Sequence, residues 1–420
     1  MLLGTPTEIR RGQGNTLTQG RIFARNLYVQ DDWRVTSKLT INLGLRYEYQ
    51  NAPYDTTDRL GNLWIRRNPQ TGEYTGTLLW AGINPEPDPA TGRTNEPPKR
   101  DRFGRGLMQN DYNNFAPRIG IAYQATSKTV VRAAYGVFYN STFVQELQDL
   151  RKFWPYTVQQ VFTANTGTRP DLLITDNGPS FQNTAAIGGW PQNPENRTPY
   201  SQQWNVTIQR QVMDDLTVDI GYVGSGNKKQ VGYTAINAAL TPGPGPVQPR
   251  RLLPQYGDLD GGSNSFGSNY HSFRTTAIKR FRRGLTFNGN YTWGRAMDDQ
   301  SSLAEWKTQE PFNRRADYSR SSIDIRHIFN FAYVYELPFG KGRQFGSSWR
   351  GAQNFLLGGW SMEGIARLQT GAPVNVTTGQ DRANVGRTYQ RPDVSRNPNN
   401  GPKTPDRWFD TTAFTLPRIF

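Results

Sequence analysis

Short and long connections alternate between the β-strand patterns of this chain. The short connections span 36–38, 125–127, 213–215 and 282–284. The long connections span about 50–114, 140–199, 225–269 and 294–325. A Gly-rich segment at 338–356 falls where a short connection is due, so the alternation continues. Soluble sandwiches and propellers have no reason to keep every second loop long, whereas a sheet that crosses repeatedly between two compartments does.

Ten segments alternate apolar and polar side chains with a period of two, which is typical of β-strands. In the clearest, 39–49, every odd position is apolar, and the even positions are polar or charged except for Gly44. The other segments span about 22–35, 115–124, 128–139, 200–212, 216–224, 270–281, 285–293, 326–337 and 357–370. An eleventh strand is predicted at Val374–Thr377. Helical periodicity is nearly absent, so the sequence predicts an all-β fold.

The strand pattern indicates that the apolar rows face a membrane and the polar rows face water. A tilted transmembrane strand needs about 9–11 residues, and the predicted strands have similar or slightly greater lengths. Aromatic residues near several strand ends are typical of interfacial girdles, and in lipid only a closed barrel satisfies the hydrogen bonds of every strand. We therefore expect an antiparallel transmembrane β-barrel with long extracellular loops and short periplasmic turns.

The apolar rows of three strands predict which side chains face the lipid. These are Leu39, Ile41, Leu43, Leu45, Tyr47, Leu285, Phe287, Tyr291, Trp293, Phe329, Phe331 and Tyr333. The aromatic members could instead form a platform on which sugars stack, but lipid contact is favoured because the rows follow the apolar faces. On the opposite rows, Arg46, Glu48, Asn288 and Asn290 either line a substrate path or only bond to one another or to a plug. No ligand-binding residue is assigned.

Composition excludes several other classes of protein. The chain has no cysteine and only two histidines, His271 and His327, so disulfides, thiol chemistry and Cys-based or His-rich metal sites are not expected. The formal charge is +15, but the cations form no block of five or more and accompany no nucleic-acid-binding motif. Anionic lipid headgroups or polyanionic saccharides would suit this charge, and no nucleic-acid partner is predicted.

Candidate catalytic and metal motifs are weak. Asp31–Asp32, Asp214–Asp215 and Asp298–Asp299 are adjacent pairs, and adjacent residues on a strand point to opposite faces, so such a pair does not converge as acid and base. Asp214–Asp215 lies in a predicted turn, where aspartates are common for turn chemistry alone. Gly340–Gly342 lacks the spacing of a phosphate loop, and the oxygen-rich segment 379–393 lacks the spacing of an EF-hand. We predict no enzyme activity, no catalytic residue, no cofactor and no metal.

An ordered series of sequence blocks resembles the barrel of TonB-dependent outer-membrane transporters, and within them the Oar-like branch. The blocks are Tyr28–Val35, Leu39–Glu48, Asn114–Gly120, Thr129–Arg132, Tyr135–Tyr139, Gln203–Val206, Gly221–Ser225, Tyr291–Trp293, Asp324–His327, Leu337–Gly342 and Gly358–Trp360. The series spans about residues 2–414. One block alone would carry little weight, whereas their order is specific.

The resemblance implies a 22-stranded barrel in the outer membrane of a Gram-negative bacterium, plugged by an N-terminal domain. It also implies three partners, namely outer-membrane lipid, the periplasmic energy-coupling protein TonB and the barrel-assembly machinery. We expect 1–420 to be one partial barrel domain of a longer protein, without the signal peptide, plug and closing strands. The expected function is energy-coupled uptake of a large or scarce ligand. The alternative is adhesion, or assistance to secretion, without active transport.

Overall fold

One antiparallel sheet with ten long strands dominates the computed structural model. The structure describes residues 8–14, 16–86, 93–140, 144–163, 187–282, 284–301, 308–309, 312–387 and 389–419. The long strands, numbered in chain order, are β1 (Ala24–Arg34), β2 (Leu39–Gln50), β3 (Phe115–Thr126), β4 (Thr129–Tyr139), β5 (Tyr200–Met213), β6 (Leu216–Ala235), β7 (Asp260–Arg282), β8 (Leu285–Asp298), β9 (His327–Glu336) and β10 (Ser361–Gln369). These confirm the ten strands predicted from the alternation.

Each long strand pairs with its neighbours in sequence, from β1 at one edge to β10 at the other. The turns between β1 and β2, β3 and β4, β5 and β6, and β7 and β8 are tight and meet at one end of the sheet. The long connections meet at the opposite end, which we call the cap end. A two-residue strand, Ser319–Arg320, extends the pairing of β8 there. The alternation of connection lengths therefore corresponds to two distinct ends of the sheet.

Strands β6 and β7 are about twice as long as the alternation predicts. They contain 20 and 23 residues, and their pairing continues from Leu216↔Lys279 to Ala235↔Asp260. The prediction of a long loop at 225–269 is therefore wrong at both of its ends, where 225–235 belong to β6 and 260–269 belong to β7. The extension is rich in Gly, Ser and Asn and carries irregular pairing near Gln230, so no period of two marked it in the sequence.

The eleventh strand predicted at Val374–Thr377 is also wrong. Residues 371–378 form no strand, and no described strand pairs with them. Pro373 immediately precedes the segment and has no N–H to donate to a ladder. Short apolar runs of this kind carry too little pattern to separate a strand from an extended loop.

The connections at the cap end fold into a compact layer, which we call the cap. Its hairpin consists of strands Gly61–Arg67 and Tyr74–Trp80, and its helix α1 spans Val144–Leu150. The remaining short strands are Glu8–Gly14 paired with Thr157–Thr163, Gly20–Arg21 paired with Tyr54–Asp55, and Asp393–Val394 paired with Phe414–Thr415. The 3-10 turns span Asp101–Gly106, Gln248–Arg250, Arg314–Ala316, Pro398–Asn400 and Thr411–Ala413.

Two clusters of buried side chains hold the cap together. One joins the hairpin to α1 through Leu60, Trp64, Leu79 and Leu150, and Trp64 meets Phe103 edge to face at 5.0 Å between ring centres. The other contains the following residues: Leu63, Leu78, Trp80, Phe153, Trp154, Tyr156, Leu253, Tyr256 and Leu259. The connections thus share a hydrophobic core although they are far apart in sequence.

A second helix, α2 (Gly351–Leu357), lies in the connection between β9 and β10 at the tight-turn end. No helix within the described ranges is both long enough and apolar enough to cross a membrane.

Candidate functional site: a polar groove on a two-faced sheet

The strand register places all twelve residues predicted to face lipid on one side of the sheet, which we call the apolar face. Directly paired residues share a face, and Leu43 pairs with Ile119, Tyr291 with Phe329, and Phe287 with Tyr333. The pairs that carry the same face from β3 to β8 are Ile121↔Ala133, Ala133↔Val206, Val206↔Tyr222, Tyr222↔Phe273 and Phe273↔Trp293. The face is therefore continuous from β2 to β9.

Side chains on the apolar face stay open to the surroundings despite their chemistry. Leu43 is 43% exposed and Trp293 is 53% exposed. A contiguous exposed apolar surface of this kind marks contact with a partner or a membrane.

Both histidines lie on this face near the cap end, each beside a tyrosine of a neighbouring strand. Tyr222 Oη lies 2.6 Å from His271 Nδ1, and Tyr291 Oη lies 2.9 Å from His327 Nδ1. Trp204 extends the first pair, with its ring centre 6.0 Å from that of His271. The two histidines therefore belong to an aromatic belt, and no group of three or more potential metal-ligating side chains occurs in the described part of the chain.

The opposite side of the sheet, the polar face, contains an open groove across β1–β5. Its volume is about 290 Å³. The groove residues on this face are Gln30, Asn42, Gly44, Arg118, Gly120, Ala134, Gly136, Phe138, Gln203 and Asn205. Glycines form much of its floor, and amides with one guanidinium form its polar lining.

Arg118 and Phe138 form a stacked pair within the groove. The guanidinium carbon of Arg118 lies 4.8 Å from the ring centre of Phe138, within the range of a cation–π contact. A Cβ at Gly136 would lie only 2.9 Å from that ring, so glycine there lets the ring lie across the strand. In the described part of the chain Arg118 forms no ion pair. Its fork of donors is therefore held in place without a carboxylate to neutralise it.

Other polar-face residues are already paired with one another. Arg46 Nε lies 3.1 Å from Glu48 Oε1, and Asn290 Nδ2 donates to Asn288 Oδ1 at 2.9 Å. These four, which were candidates for a substrate path, are bonded as two pairs, Arg46 with Glu48 and Asn288 with Asn290. None of the four lines the groove.

The remaining sequence candidates have structural roles. In the segment 379–393, the carboxylate of Asp381 accepts N–H bonds from Val385, Gly386 and Arg387 at 3.0, 2.6 and 3.1 Å. Both oxygens of this carboxylate therefore accept backbone hydrogen bonds that hold the loop. At the tight turns, Asp215 pairs with Lys279.

Comparison with known proteins decides the family. A family model described as an outer membrane beta barrel domain matches residues 1–420. The chain belongs to this outer-membrane β-barrel family. It is an outer-membrane protein. In barrels of this kind the long loops are extracellular and the short turns are periplasmic. A comparison with curated protein sequences finds no match.

Solved structures similar to this chain include two transporters and a siderophore receptor at low identity. The FrpB iron transporter from Neisseria meningitidis (F5-1 variant) has 9% identity and a TM-score of 0.38, covering 76% of this chain and 32% of its own. The siderophore receptor PirA from Acinetobacter baumannii has 11% identity and a TM-score of 0.41, and the match covers 77% of this chain and 32% of PirA. The outer membrane transporter YddB from Escherichia coli has 10% identity and a TM-score of 0.39, and the match covers 75% of this chain and 40% of YddB. The chain thus spans about a third of the length of these structures.

Above the barrel, buried polar side chains join the cap to β6. Tyr233 Oη donates to Asp149 Oδ2, and Gln145 Nε2 donates to Asp149 Oδ1 at 3.2 Å. Glu146 is only 1% exposed, and its Oε2 has no hydrogen-bond partner among the described residues. Burial raises the pKa of Glu146 to about 7, and the nearby charge of Asp149 acts in the same direction. The cap thus favours a neutral Glu146.

Sequence reasoning missed both the groove pair and this buried cluster. Phe138 is the aromatic residue in a row of 128–139 that otherwise holds Lys128, Val130, Arg132, Ala134 and Gly136, and that irregularity was the available signal. Nothing local marked Glu146, because its burial depends on elements far away in the sequence.

Proposed function

We propose that this chain forms part of the wall of an outer-membrane transport barrel that takes up a solute too large or too scarce for porins. The observation that carries the proposal is the sheet's two-sidedness: one unbroken apolar face and one polar face with an open groove. A wall between lipid and an aqueous passage needs this arrangement. An extracellular adhesin needs the cap but has no use for a groove below it.

In this proposal the apolar face contacts membrane lipid. Its twelve predicted members include residues from the middle of β2, β8 and β9, where water would make their exposure costly. Aromatic belts near both ends support the same assignment, with Trp204 and Trp293 towards the cap and Trp33 towards the tight turns. The polar face then lines the passage.

The groove recognises an acidic group on the solute. A guanidinium offers parallel donors that match a carboxylate or phosphate, and stacking on Phe138 fixes the plane of Arg118. The amides of Gln30, Gln203 and Asn205 surround this cation and suit hydroxyl or carbonyl groups of the same solute. An acidic oligosaccharide has this combination of groups.

Uptake is driven through TonB. The ordered sequence blocks that resemble TonB-dependent transporters support this coupling. A cap that shares a hydrophobic core selects solutes at the entrance, because its connections are held in fixed positions.

Uptake of matched oligosaccharides tests the proposal in cells that carry the full-length protein. Each pair consists of an oligogalacturonide and its neutral methyl ester of equal length. We expect TonB-dependent uptake of the acidic member, reduced about tenfold in Arg118→Gln because a charge-assisted hydrogen bond is lost. Arg132→Gln is the matched control, since Arg132 lies on the same face and donates to Gln209 at 3.0 Å.

Three results would contradict the proposal: uptake that persists without TonB, absence of uptake of both members, or equal effects of the two substitutions. Loss of surface attachment without any TonB effect would favour the adhesion alternative.

A further inference from the structure

The connection between β9 and β10 differs from the other connections at the periplasmic end of the sheet. The turns joining β3 to β4 and β5 to β6 leave only two residues between strands, whereas residues 337–360 separate β9 from β10. This connection contains the helix α2 (Gly351–Leu357). An insertion that folds into a helix at a site where a tight turn suffices needs a separate explanation.

The end of α2 exposes an unusual run of large apolar side chains. Phe355, Leu356 and Leu357 are 84%, 62% and 55% exposed, and Trp360 is 60% exposed. Single exposed apolar residues are common on protein surfaces, but a contiguous group of this size is not. Nothing in the described part of the chain covers them.

Polar and backbone contacts hold α2 in place, so its apolar side chains remain free for another partner. Asn354 Oδ1 accepts a hydrogen bond from the N–H of Lys341 at 2.7 Å, and Trp360 Nε1 donates to the carbonyl of Leu356 at 2.8 Å. A Cβ at Gly340 would lie 2.8 Å from the Cα of Gly358, so the two backbone segments approach closely. The helix is thus positioned without burying its apolar group.

The apolar group continues the apolar face of the sheet. Met362 pairs with Tyr335 on that face, and Trp360 lies two residues earlier, one strand period away. The carbonyl of Trp360 accepts a bond from Leu337 at 2.8 Å, which fixes it at the level of the last strand pair. Trp33 and Tyr123 lie at the same end of that face.

Cations flank the same segment. Lys341 and Arg350 are exposed and form no ion pair in the described part of the chain, whereas Arg343 pairs with Glu336 at 2.6 Å. Apolar side chains with adjacent cations are typical of helices that lie in the plane of a membrane surface. The cations suit phosphate groups, and their stems suit the apolar boundary beneath them.

We propose that residues 338–360 form an interfacial anchor in the periplasmic leaflet of the outer membrane. Phe355, Leu356 and Leu357 enter the boundary between headgroups and acyl chains, and Lys341 and Arg350 contact phospholipid phosphates. The anchor rests on the lipid contact of the apolar face proposed above.

Cysteine labelling tests the anchor directly, because the chain has no cysteine of its own. Phe355→Cys is introduced into the full chain, labelled with an environment-sensitive fluorophore and reconstituted in vesicles of phosphatidylethanolamine and phosphatidylglycerol. Two controls are labelled in parallel: Phe331→Cys in the middle of the apolar face, and Leu240→Cys at a half-exposed cap position. We expect the label at 355 to be quenched by iodide about fivefold less than the label at 240.

The outcomes separate the anchor from the proposed function. If 355 is as accessible to iodide as 240 while 331 is protected, the anchor is wrong and the lipid-facing sheet stands. If 331 is also accessible, the lipid contact of the apolar face is wrong as well. A lipid-attached quencher placed near the headgroups should quench 355 more than 331, and the reverse order would also overturn the anchor.

A second measurement addresses the cations. Replacing phosphatidylglycerol by phosphatidylcholine should increase iodide access at 355, and the double substitution Lys341→Gln and Arg350→Gln should abolish this lipid dependence. Retention of the full lipid dependence in the double variant would show that these cations do not contact the headgroups.

Discussion

The cap and the sheet use the same large apolar residues in opposite ways. In the cap, Leu79 is 0% exposed and Trp80 is 2% exposed, whereas Leu45 and Trp33 of the sheet are 43% and 55% exposed. Across the described residues of β1–β10, the buried hydrophobic side chains are Ala116, Val137, Tyr233, Ala235 and Phe266. All five lie at the cap end of their strands.

The difference indicates two solvents. The cap is surrounded by water and must form its own core, so its apolar side chains converge from several connections. In the proposed barrel wall, the sheet leaves its apolar side chains outside because they contact membrane lipid, and its polar residues line the other face. The boundary between the two regimes lies where β6 and β7 run past the other strands into the cap.

Removing a cap core side chain gives the largest expected effect. Trp80 meets Trp154 edge to face at 5.6 Å, and its indole N–H donates to the carbonyl of Pro97 at 2.8 Å. Trp80→Ala should therefore destabilise the cap by about 3–5 kcal/mol. Hydrogen exchange of the hairpin amides in reconstituted protein measures the loss. Trp33→Ala is the control. Equal increases of hairpin exchange in both variants would contradict the difference between buried apolar residues in the cap and exposed ones in the sheet.

Placing a charge on the apolar face has the next largest effect. Phe331 lies near the middle of β9, so Phe331→Arg should destabilise the membrane-embedded sheet by about 2–4 kcal/mol. Denaturant unfolding from phospholipid vesicles measures this cost. The neighbouring Asn330→Arg points to the polar face and should have much less effect. If Asn330→Arg is the more damaging of the two, the assignment of faces is reversed.

The buried Glu146 should make cap stability depend on pH. Its pKa is raised to about 7 in the fold, and the group binds a proton there that the unfolded chain releases near its ordinary value. Cap stability should therefore be highest at acidic pH and fall by roughly 1 kcal/mol per pH unit as pH rises from about 4.5 to 7.

Hydrogen exchange of the cap at pH 5 and pH 7.5, corrected for the intrinsic rates, measures this dependence. Glu146→Gln should flatten it, because the amide is neutral throughout, whereas Glu73→Gln at the hairpin turn should leave it unchanged. Asp149, whose pKa burial also raises, would retain a smaller dependence in the same direction. A cap whose stability rises between these pH values would contradict the burial of a neutral Glu146.

Much of the barrel wall was predictable because a half-buried β-strand shows a period of two within its own few residues. The alternation in 39–49 specified β2, its two faces and the apolar row, and the register confirmed that Leu43 and Phe329 share a face. The extension of β6 and β7 was not predictable, because its Gly-rich residues show no alternation of their own. The two extensions pair with each other, and Phe266 and Tyr233 within them are buried at the cap end.

The sequence by itself determined the ten long strands except for the extensions of β6 and β7, the polarity of their faces and the two kinds of connection. Only the tertiary structure decided the cap, the groove and the position of α2. The physical reason is range: strand periodicity is encoded two residues apart, whereas Tyr233 meets Asp149 across 84 positions and Arg118 meets Phe138 across a strand pair. Contacts of that separation arise from packing, which no local pattern specifies.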